Sequence, residues 1–216
     1  MGKIVQGING PFFGKVGSVV GYMWKGIPVM RAIPKKRTKP FSEKELNQQA
    51  RFRIMNACLC NLKDHLNITF GHLAVGMAGY SKAFSYNVKN AIIGALPDMS
   101  VNYPLLLLSR GDVPSVEKIE FSSPLENVFQ FNWTDNTGVG KALSTDRVFV
   151  ALFNQKLGQW SSLLNCAMRS DGSCRVEINN GWKSTEQIHA WIGFLARDGK
   201  DASDSVYGGV LQMTAK

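Results

Sequence analysis

The chain has 216 residues, of which 44% are hydrophobic and 19% are charged, values that are typical of a globular protein and exclude extensive disorder. Its net charge is +9, and residues 1–65 carry twelve Lys or Arg against three acids, whereas the other 151 residues carry thirteen of each. The basic excess of the N-terminal third predicts contact with an acidic partner, unless it is only a solvated linker.

A hydrophobic β-hairpin is predicted near the N-terminus, with a tight turn at Lys25-Gly26 between the strands Val16–Trp24 and Ile27–Ile33. Pairing about this turn places four large apolar side chains on one face, namely Tyr22, Trp24, Ile27 and Val29. Such a hairpin is only marginally stable alone, so it must pack on the rest of the chain or on another copy. We predict an interaction surface formed by Phe12, Phe13, Tyr22, Trp24, Ile27 and Arg31.

A basic segment bounded by prolines, Pro34–Pro40, follows the hairpin and is expected to be extended, because residues before proline avoid the helical region. We call it the strap. Together with the next helix it suggests contacts to phosphates, for which the candidate residues are Lys35, Lys36, Arg37, Lys39, Arg51 and Arg53. Tyr22 and Trp24 are candidates for stacking on bases.

Two helices are predicted after the strap. Ser42 and Glu45 have the spacing of a capping box, and the apolar residues that follow keep helical periodicity to about Lys63. His65–Gly79 is expected to be a loop with some helix, and a second helix is expected at Ser81–Ala95. The apolar run Tyr103–Ser109 is expected to be a strand.

From about Val113 the pattern changes to alternation of period two with frequent turns, which is typical of a β-sandwich. The predicted strands are Val116–Phe121, Asn127–Trp133, Arg147–Asn154, Ser161–Arg169, Cys174–Asn179, Glu186–Ala196 and Ser205–Met213. Cys166 and Cys174 are too close in sequence to be the disulfide of antibody domains, which favours the fibronectin version.

The predicted fold class is therefore α+β, with an N-terminal β-hairpin and two helices followed by an immunoglobulin/fibronectin-III-like β-sandwich. We predict a boundary at Gly111, giving a basic N-terminal region of residues 1–111 and a sandwich of residues 112–216. Because a sandwich closes its own core, residues 112–216 are expected to fold alone.

Several motifs resemble those of the domain-of-unknown-function family 6266. The N-terminal segment GKVGSVVGYMWKGIPVMRAIPKKRTKPFSEKELNQQARF has the family's glycine-punctuated ribbon, its W-K-G turn and its Gln/Arg-rich helix start, although Met23 and Pro28 depart from the pattern. Similar motifs follow at Ser85–Gly94, at Ser109–Val113, at the strand ending in Trp133 and at Ser203–Gly209. The family has no established activity, so the resemblance implies no catalytic residues and no cofactor.

Little in the sequence indicates catalysis. His65 and His72 have no Cys or carboxylate at metal-ligand spacing nearby, and His189 alternates with the apolar residues of its strand, so that solvent exposure is expected. The four cysteines are interpreted as small core or semi-buried residues, and neither a phosphate-binding loop nor a nucleophile motif is present. We predict a protein without enzymatic activity, cofactor or metal.

These observations predict a structural or assembly protein that associates through its N-terminal ribbon, as a homo-oligomer or in a larger protein assembly. A virion, a mobile element or a cell appendage would be such an assembly. The alternative is a nucleic-acid-binding protein that uses the strap and the following helix. No membrane span and no signal peptide are predicted, so the expected location is the cytoplasm or the assembly itself.

Overall fold

The computed structural model describes residues 2–3, 10–125, 127–178, 182 and 186–212. The chain forms two compact units, Met1–Ser42 and Glu43–Lys216. None of the helices in the described ranges is long and apolar enough to cross a membrane.

The N-terminal unit is a four-stranded antiparallel sheet in the order β1-β4-β3-β2. Its strands are β1 (Gly2–Lys3), β2 (Gly14–Val16), β3 (Val19–Trp24) and β4 (Ile27–Ala32). Lys25 and Gly26 both have positive φ, 49° and 77°, as a two-residue hairpin turn of type I′ requires. The predicted pairing is confirmed, since Trp24 lies opposite Ile27 and Tyr22 opposite Val29.

The predicted first strand, Val16–Trp24, is divided in two. Val16 ends β2 and pairs with Val19 at the start of β3, across a turn in which Gly17 has a φ of +57°. The glycine spacing therefore builds a second tight turn, which widens the predicted hairpin into a sheet.

Three α-helices follow in the described part of the chain, α1 (Glu43–Leu59), α2 (Lys63–Thr69) and α3 (Gly79–Asn90). Helix α1 begins directly after Ser42, which thus takes the predicted N-cap position. Helix α2 occupies part of the stretch predicted to be mainly loop. Helix α3 ends before the predicted Ala95, because the short strand β5 (Ile92–Ile93) pairs with β6 (Ser100–Val101).

Seven strands form two antiparallel sheets in the orders β10-β9-β12-β13 and β11-β8-β7. They are β7 (Glu117–Leu125), β8 (Val128–Thr134), β9 (Arg147–Asn154), β10 (Gln159–Met168), β11 (Ser173–Glu177), β12 (Gln187–Leu195) and β13 (Val206–Gln212). All seven predicted strands are thus confirmed, and most of their ends are displaced by one to a few residues; the predicted ends Asn179 and Met213 lie outside the described residues. The α+β fold class with a fibronectin-III-like sandwich is also confirmed.

The two sheets enclose one hydrophobic core, to which β8, β9, β11 and β12 contribute alternate residues. Phe129 and Phe131 come from the three-stranded sheet, and Val150, Ile192 and Phe194 come from the four-stranded sheet. Each of these five side chains is 0–1% exposed. The alternation of apolar and polar residues along these strands therefore reflects the burial of one face in this core.

A second core lies on the outer face of the four-stranded sheet, where the helices cover it. Phe153 of β9 and Trp191 of β12 pack with Met55 and Leu59 of α1 and Leu66 of α2. From Val148 and Ile188 onward, β9 and β12 are therefore buried on both faces. Because the helices share a core with the sheet, they belong to the same compact unit as the sandwich. The compact units divide after Ser42, and the domain boundary at Gly111 stays a prediction.

The predicted strand Tyr103–Ser109 is not a strand. It begins with a 3₁₀ turn at Tyr103–Leu105 and continues as extended chain whose polar groups are paired with side chains. The Leu107 N–H donates to Asn87 Oδ1 (2.9 Å) and Asn87 Nδ2 donates to the Leu107 carbonyl (2.8 Å). Thr69 Oγ1 donates to the Leu108 carbonyl (2.7 Å), so side chains here take the place of a neighbouring strand.

His65 of α2 makes the unfolding free energy dependent on pH. It is 3% exposed, its ring packs edge-on against Phe149 with centroids 4.9 Å apart, and neither ring nitrogen has a hydrogen-bond partner in the described ranges. Burial lowers the pKa of His65 from 6.5 to about 4. Between these two pKa values His65 is protonated in the unfolded chain but neutral in the folded protein. The unfolding free energy is therefore highest above about pH 7 and falls as the pH is lowered toward 4.

We expect this group to remove about 3 kcal/mol of stability by pH 4, from the shift at ~1.4 kcal/mol per pKa unit. Urea unfolding at pH 7.5 and pH 4.5 measures the loss. His65→Leu should make the unfolding free energy much less dependent on pH, whereas the control His72→Leu should not. Equal acid sensitivity in the wild type and in His65→Leu would contradict the assignment.

Candidate interaction surfaces

The two faces of the N-terminal sheet differ in charge. Strand register places Val16, Val19, Met23, Pro28 and Met30 on one face, which we call the uncharged face because the described residues of β2, β3 and β4 put no charge there. Val16, Met23 and Met30 are 58%, 49% and 38% exposed. Phe12 also lies on this face, packed so closely over Gly21 that a Cβ there would collide with its ring.

The opposite face, the cationic face, combines aromatic rings with positive charge. Tyr22 lies under the Arg31 guanidinium, 5.4 Å from its carbon, and Trp24 lies 5.7 Å from the Lys25 ammonium. Trp24 is 49% exposed. The predicted interaction residues are thus separated by the sheet, with Tyr22, Trp24, Ile27 and Arg31 on this face and Phe12 on the other. Phe13, which precedes β2, is 62% exposed.

The N-terminal unit has almost no interior. Between residues 10 and 42 only Gly21 and Val29 are buried, and no residue of this range belongs to the hydrophobic cores. Phe41 adds a further exposed ring at the end of the unit, with 49% of its surface accessible. A sheet with so little buried apolar surface depends on packing partners for its stability.

Charge is divided unequally between the two units. Residues 1–42 contain eight of the 25 Lys and Arg and none of the 16 acids, which leaves residues 43–216 with seventeen bases and sixteen acids. The positive charge of the protein is therefore almost entirely that of its N-terminal unit. At physiological ionic strength, screening limits the electrostatic effect of this charge to about 8 Å from the surface.

The strap holds its basic residues in two different ways. Lys35, Lys36 and Lys39 are exposed. Arg37 instead folds back on the strap, where its Nε donates to the Lys39 carbonyl (2.8 Å) and its guanidinium lies 4.3 Å from the centre of the Phe41 ring. The three lysines are therefore better placed than Arg37 to contact a phosphate.

The two predicted arginines of α1 also differ. Arg51 Nη2 donates to the Val88 carbonyl of α3 (2.9 Å), which fixes the guanidinium between the helices, whereas Arg53 is exposed. Around Arg51 a cavity of about 510 Å³ opens, lined by Lys44, Asn47, Gln48, Arg51, Val88 and Lys89. Lys44 and Lys89 were not among the predicted phosphate contacts. Lys89 could not be found from the sequence, because only the packing of α3 against α1 brings it to this cavity.

The prediction that His189 is exposed is wrong. His189 is 7% exposed, its Nδ1 lies 2.7 Å from the Tyr207 hydroxyl and its Nε2 lies 3.2 Å from Gln155 Oε1. Its ring is 4.2 Å from that of Tyr103, and burial lowers its pKa. Alternation on β12 suggested solvent on the second face, which the helices and the Tyr103 segment in fact cover.

The four cysteines are free thiols, and Cys58 and Cys174 are buried. Burial raises the pKa of Cys58 to about 12, which makes it a poor nucleophile near neutral pH. Within the ranges that the structure describes, no three His, Cys, Asp or Glu side chains are grouped to hold a metal ion.

The comparison with known families gives a match to a family described as "Family of unknown function (DUF6266)" over residues 10–209. The chain belongs to this family. Among curated proteins, none matches the chain.

Three of the solved structures that are similar to this DUF6266 chain are fibronectin-III domains or contain them. The fn3 domain of human collagen alpha-1(XX) chain is 10% identical, with a TM-score of 0.37, and the match covers 48% of the DUF6266 chain and 87% of that domain. The fn3 domain of human contactin 1 is 9% identical, with a TM-score of 0.34 and coverages of 50% and 85%. The central fibronectin-III array of RIM-binding protein is 17% identical, with a TM-score of 0.30 and coverages of 43% and 33%.

Two of the motifs that resemble the DUF6266 pattern are joined in the structure. Ser109 Oγ donates to the Ser203 carbonyl (2.6 Å), and the Gly111 N–H donates to Asp204 Oδ1 (3.1 Å). A Cβ at Gly111 would collide with the Ala202 carbonyl. These motifs therefore connect the segment that precedes the sandwich to its last loop, which is a structural role.

Proposed function

We propose that the protein is a non-enzymatic assembly protein that associates through its N-terminal sheet. The observation that carries the proposal is the uncharged face, which exposes Val16, Met23 and Met30 on a sheet whose described residues contribute nothing to the hydrophobic cores. Contiguous exposed apolar surface of this kind marks interaction sites. The unit Glu43–Lys216 has its own cores and serves as the body to which the sheet is attached.

The partner that best fits the uncharged face is the same face of a second copy. Stacking two such faces buries Met23, Met30 and Val16 of both copies and leaves the cations of the cationic face outside the contact. Burying a few hundred Å² would contribute several kcal/mol at about 25 cal/mol per Å², before the cost of association. Methionine side chains adapt readily to such a contact.

Light scattering during size-exclusion chromatography tests this proposal. The wild type is expected to be an oligomer at 150 mM and at 500 mM NaCl, because salt screens the repulsion between the basic units and does not weaken apolar contact. Met23→Glu/Met30→Glu is expected to be monomeric, since association would bury two carboxylates.

The matched control is Val139→Glu/Leu157→Glu, which adds the same charges at exposed apolar positions of the sandwich loops and should leave the oligomer intact. Trp24→Glu/Ile27→Glu reports on the cationic face. A monomeric wild type would refute self-association. If Trp24→Glu/Ile27→Glu dissociates the oligomer and Met23→Glu/Met30→Glu does not, the contact lies on the cationic face instead.

Nucleic acid remains a second candidate partner. It is favoured by the eight Lys and Arg residues of residues 1–42, which contain no Asp or Glu, and by the exposed ring of Trp24 beside Lys25. Binding of a fluorescent single-stranded oligonucleotide is expected to weaken steeply between 50 and 200 mM NaCl. Lys35→Glu/Lys36→Glu/Lys39→Glu, which leaves Arg37 in place, should abolish binding without changing the melting temperature. Salt-independent binding, or none at 50 mM NaCl, would exclude this function.

A further inference from the structure

The cavity between α1 and α3 has the composition of an anion site. Three of its lining residues, Lys44, Arg51 and Lys89, are basic and two, Asn47 and Gln48, are amides, whereas no lining residue is acidic. Residues 65–97, which include α3, contain no Asp or Glu. The acids of α1 in its first turn are Glu43 and Glu45.

Arg51 is positioned in this cavity before any ligand arrives. Its bond to the Val88 carbonyl uses one of its five N–H donors and orients the planar guanidinium, so the remaining donors need little further ordering. Lys44 and Arg51 lie seven residues apart on α1, on the same side of the helix, and Lys89 faces them from the last turn of α3. A fixed arginine flanked by two exposed lysines is suited to a phosphate group.

An exposed aromatic residue, Phe52, follows Arg51 directly on α1. Phe52 follows Gln48 by one turn of α1, is 47% exposed and packs against Phe84 with ring centroids 5.3 Å apart. Phe84 thus supports the ring from one side, and the exposed part is available for stacking. Cations, side-chain amides and an exposed ring together match the phosphate and the base of a nucleotide.

We infer that the cavity between α1 and α3 binds nucleotide units of single-stranded nucleic acid, with Lys44, Arg51 and Lys89 contacting phosphate and Phe52 stacking on a base. Free nucleotides share this chemistry, and the experiment separates the two sources. The site lies in the unit Glu43–Lys216 and goes beyond the proposed self-association. Its test leaves the N-terminal sheet unchanged, so each proposal can fail without the other.

Fluorescence anisotropy measures the affinity of the full-length protein for a labelled oligothymidylate of about twelve nucleotides. Lys44→Glu/Lys89→Glu is expected to weaken binding at least tenfold at 50 mM NaCl. It should also lower the slope of log affinity against log salt by about 1.4, from ~0.7 for each of two lost phosphate contacts. Phe52→Leu, which keeps an apolar side chain but removes the ring, is expected to weaken binding about fivefold or more.

The matched control, Lys118→Glu/Arg175→Glu, makes the same change in net charge on β7 and β11 of the three-stranded sheet. It should bind within twofold of the wild type.

Competition with ATP and with inorganic phosphate identifies the source of the ligand. Displacement by ATP at micromolar concentration would assign the site to free nucleotides, and displacement only by unlabelled oligonucleotide supports nucleic acid. Equal affinity of the Lys44 and Lys89 variant and the control would overturn the inference. Absence of oligonucleotide binding, or binding only to anionic phospholipid vesicles, would also overturn it.

Discussion

Removal of residues 1–40 is expected to convert the protein from an oligomer into a folded monomer. The hydrophobic cores consist of residues from Met55 onward, so their packing does not need the removed segment. We expect the melting temperature to change by no more than a few degrees, and the net charge to fall by eight. Light scattering and circular dichroism of the shortened protein measure both properties.

Two other outcomes of this truncation would contradict the proposal. A shortened protein that remains oligomeric would place the association surface in residues 43–216. A shortened protein that fails to fold would mean that the N-terminal sheet is needed as part of the core. The Met23→Glu/Met30→Glu variant provides the control, because it keeps every residue of the segment and should give the same monomer.

Residues 43–216 are expected to unfold as one cooperative unit, whereas residues 112–216 alone should be strongly destabilised. Removing the helices would expose Trp191 and Phe153, which are 0% and 5% exposed in the intact chain. It would also remove the Leu106 carbonyl to which Trp191 Nε1 donates (3.1 Å). At about 25 cal/mol per Å² the loss is several kcal/mol, comparable with the total stability of about 5–15 kcal/mol of a typical domain.

Urea denaturation followed by tryptophan fluorescence compares the two fragments. A single transition for residues 43–216, together with aggregation or a much lower midpoint for residues 112–216, is the expected result. Equal midpoints would show that the sandwich is independent of the helices, as the sequence-based boundary at Gly111 implies. Replacing Phe153 and Trp191 in the short fragment by Ser and Gln should improve its solubility if their exposure causes the aggregation.

The N-terminal sheet was largely predictable because its information is local. Lys25-Gly26 fits a turn with two positive φ angles, and that turn sets the register of Trp24 with Ile27 and of Tyr22 with Val29. The second turn, at Gly17, was encoded in the same glycine spacing but was interpreted as part of a strand. Short-range steric preferences suffice for such elements.

The sandwich was predictable for a related reason. Its strands alternate because one face meets the core, and turn residues mark where each strand ends. This signal located seven strands without any knowledge of their partners. It could not predict that the second face of β9 and β12 is buried. Trp191 is covered by α1 and α2, which lie more than a hundred residues earlier in the chain, and His189 packs against Tyr103.

Sequence alone therefore determined the hairpin register, the strand positions, the family resemblance and the uneven distribution of charge, because each depends on neighbouring residues or on composition. Only the tertiary structure decided that the helices complete the sandwich, that His189 is buried, that the apolar side chains of the N-terminal sheet divide between two faces, and that Lys89 joins Lys44 and Arg51 around one cavity. These features arise from packing between distant segments, where contact is set by shape and burial and no local pattern records it.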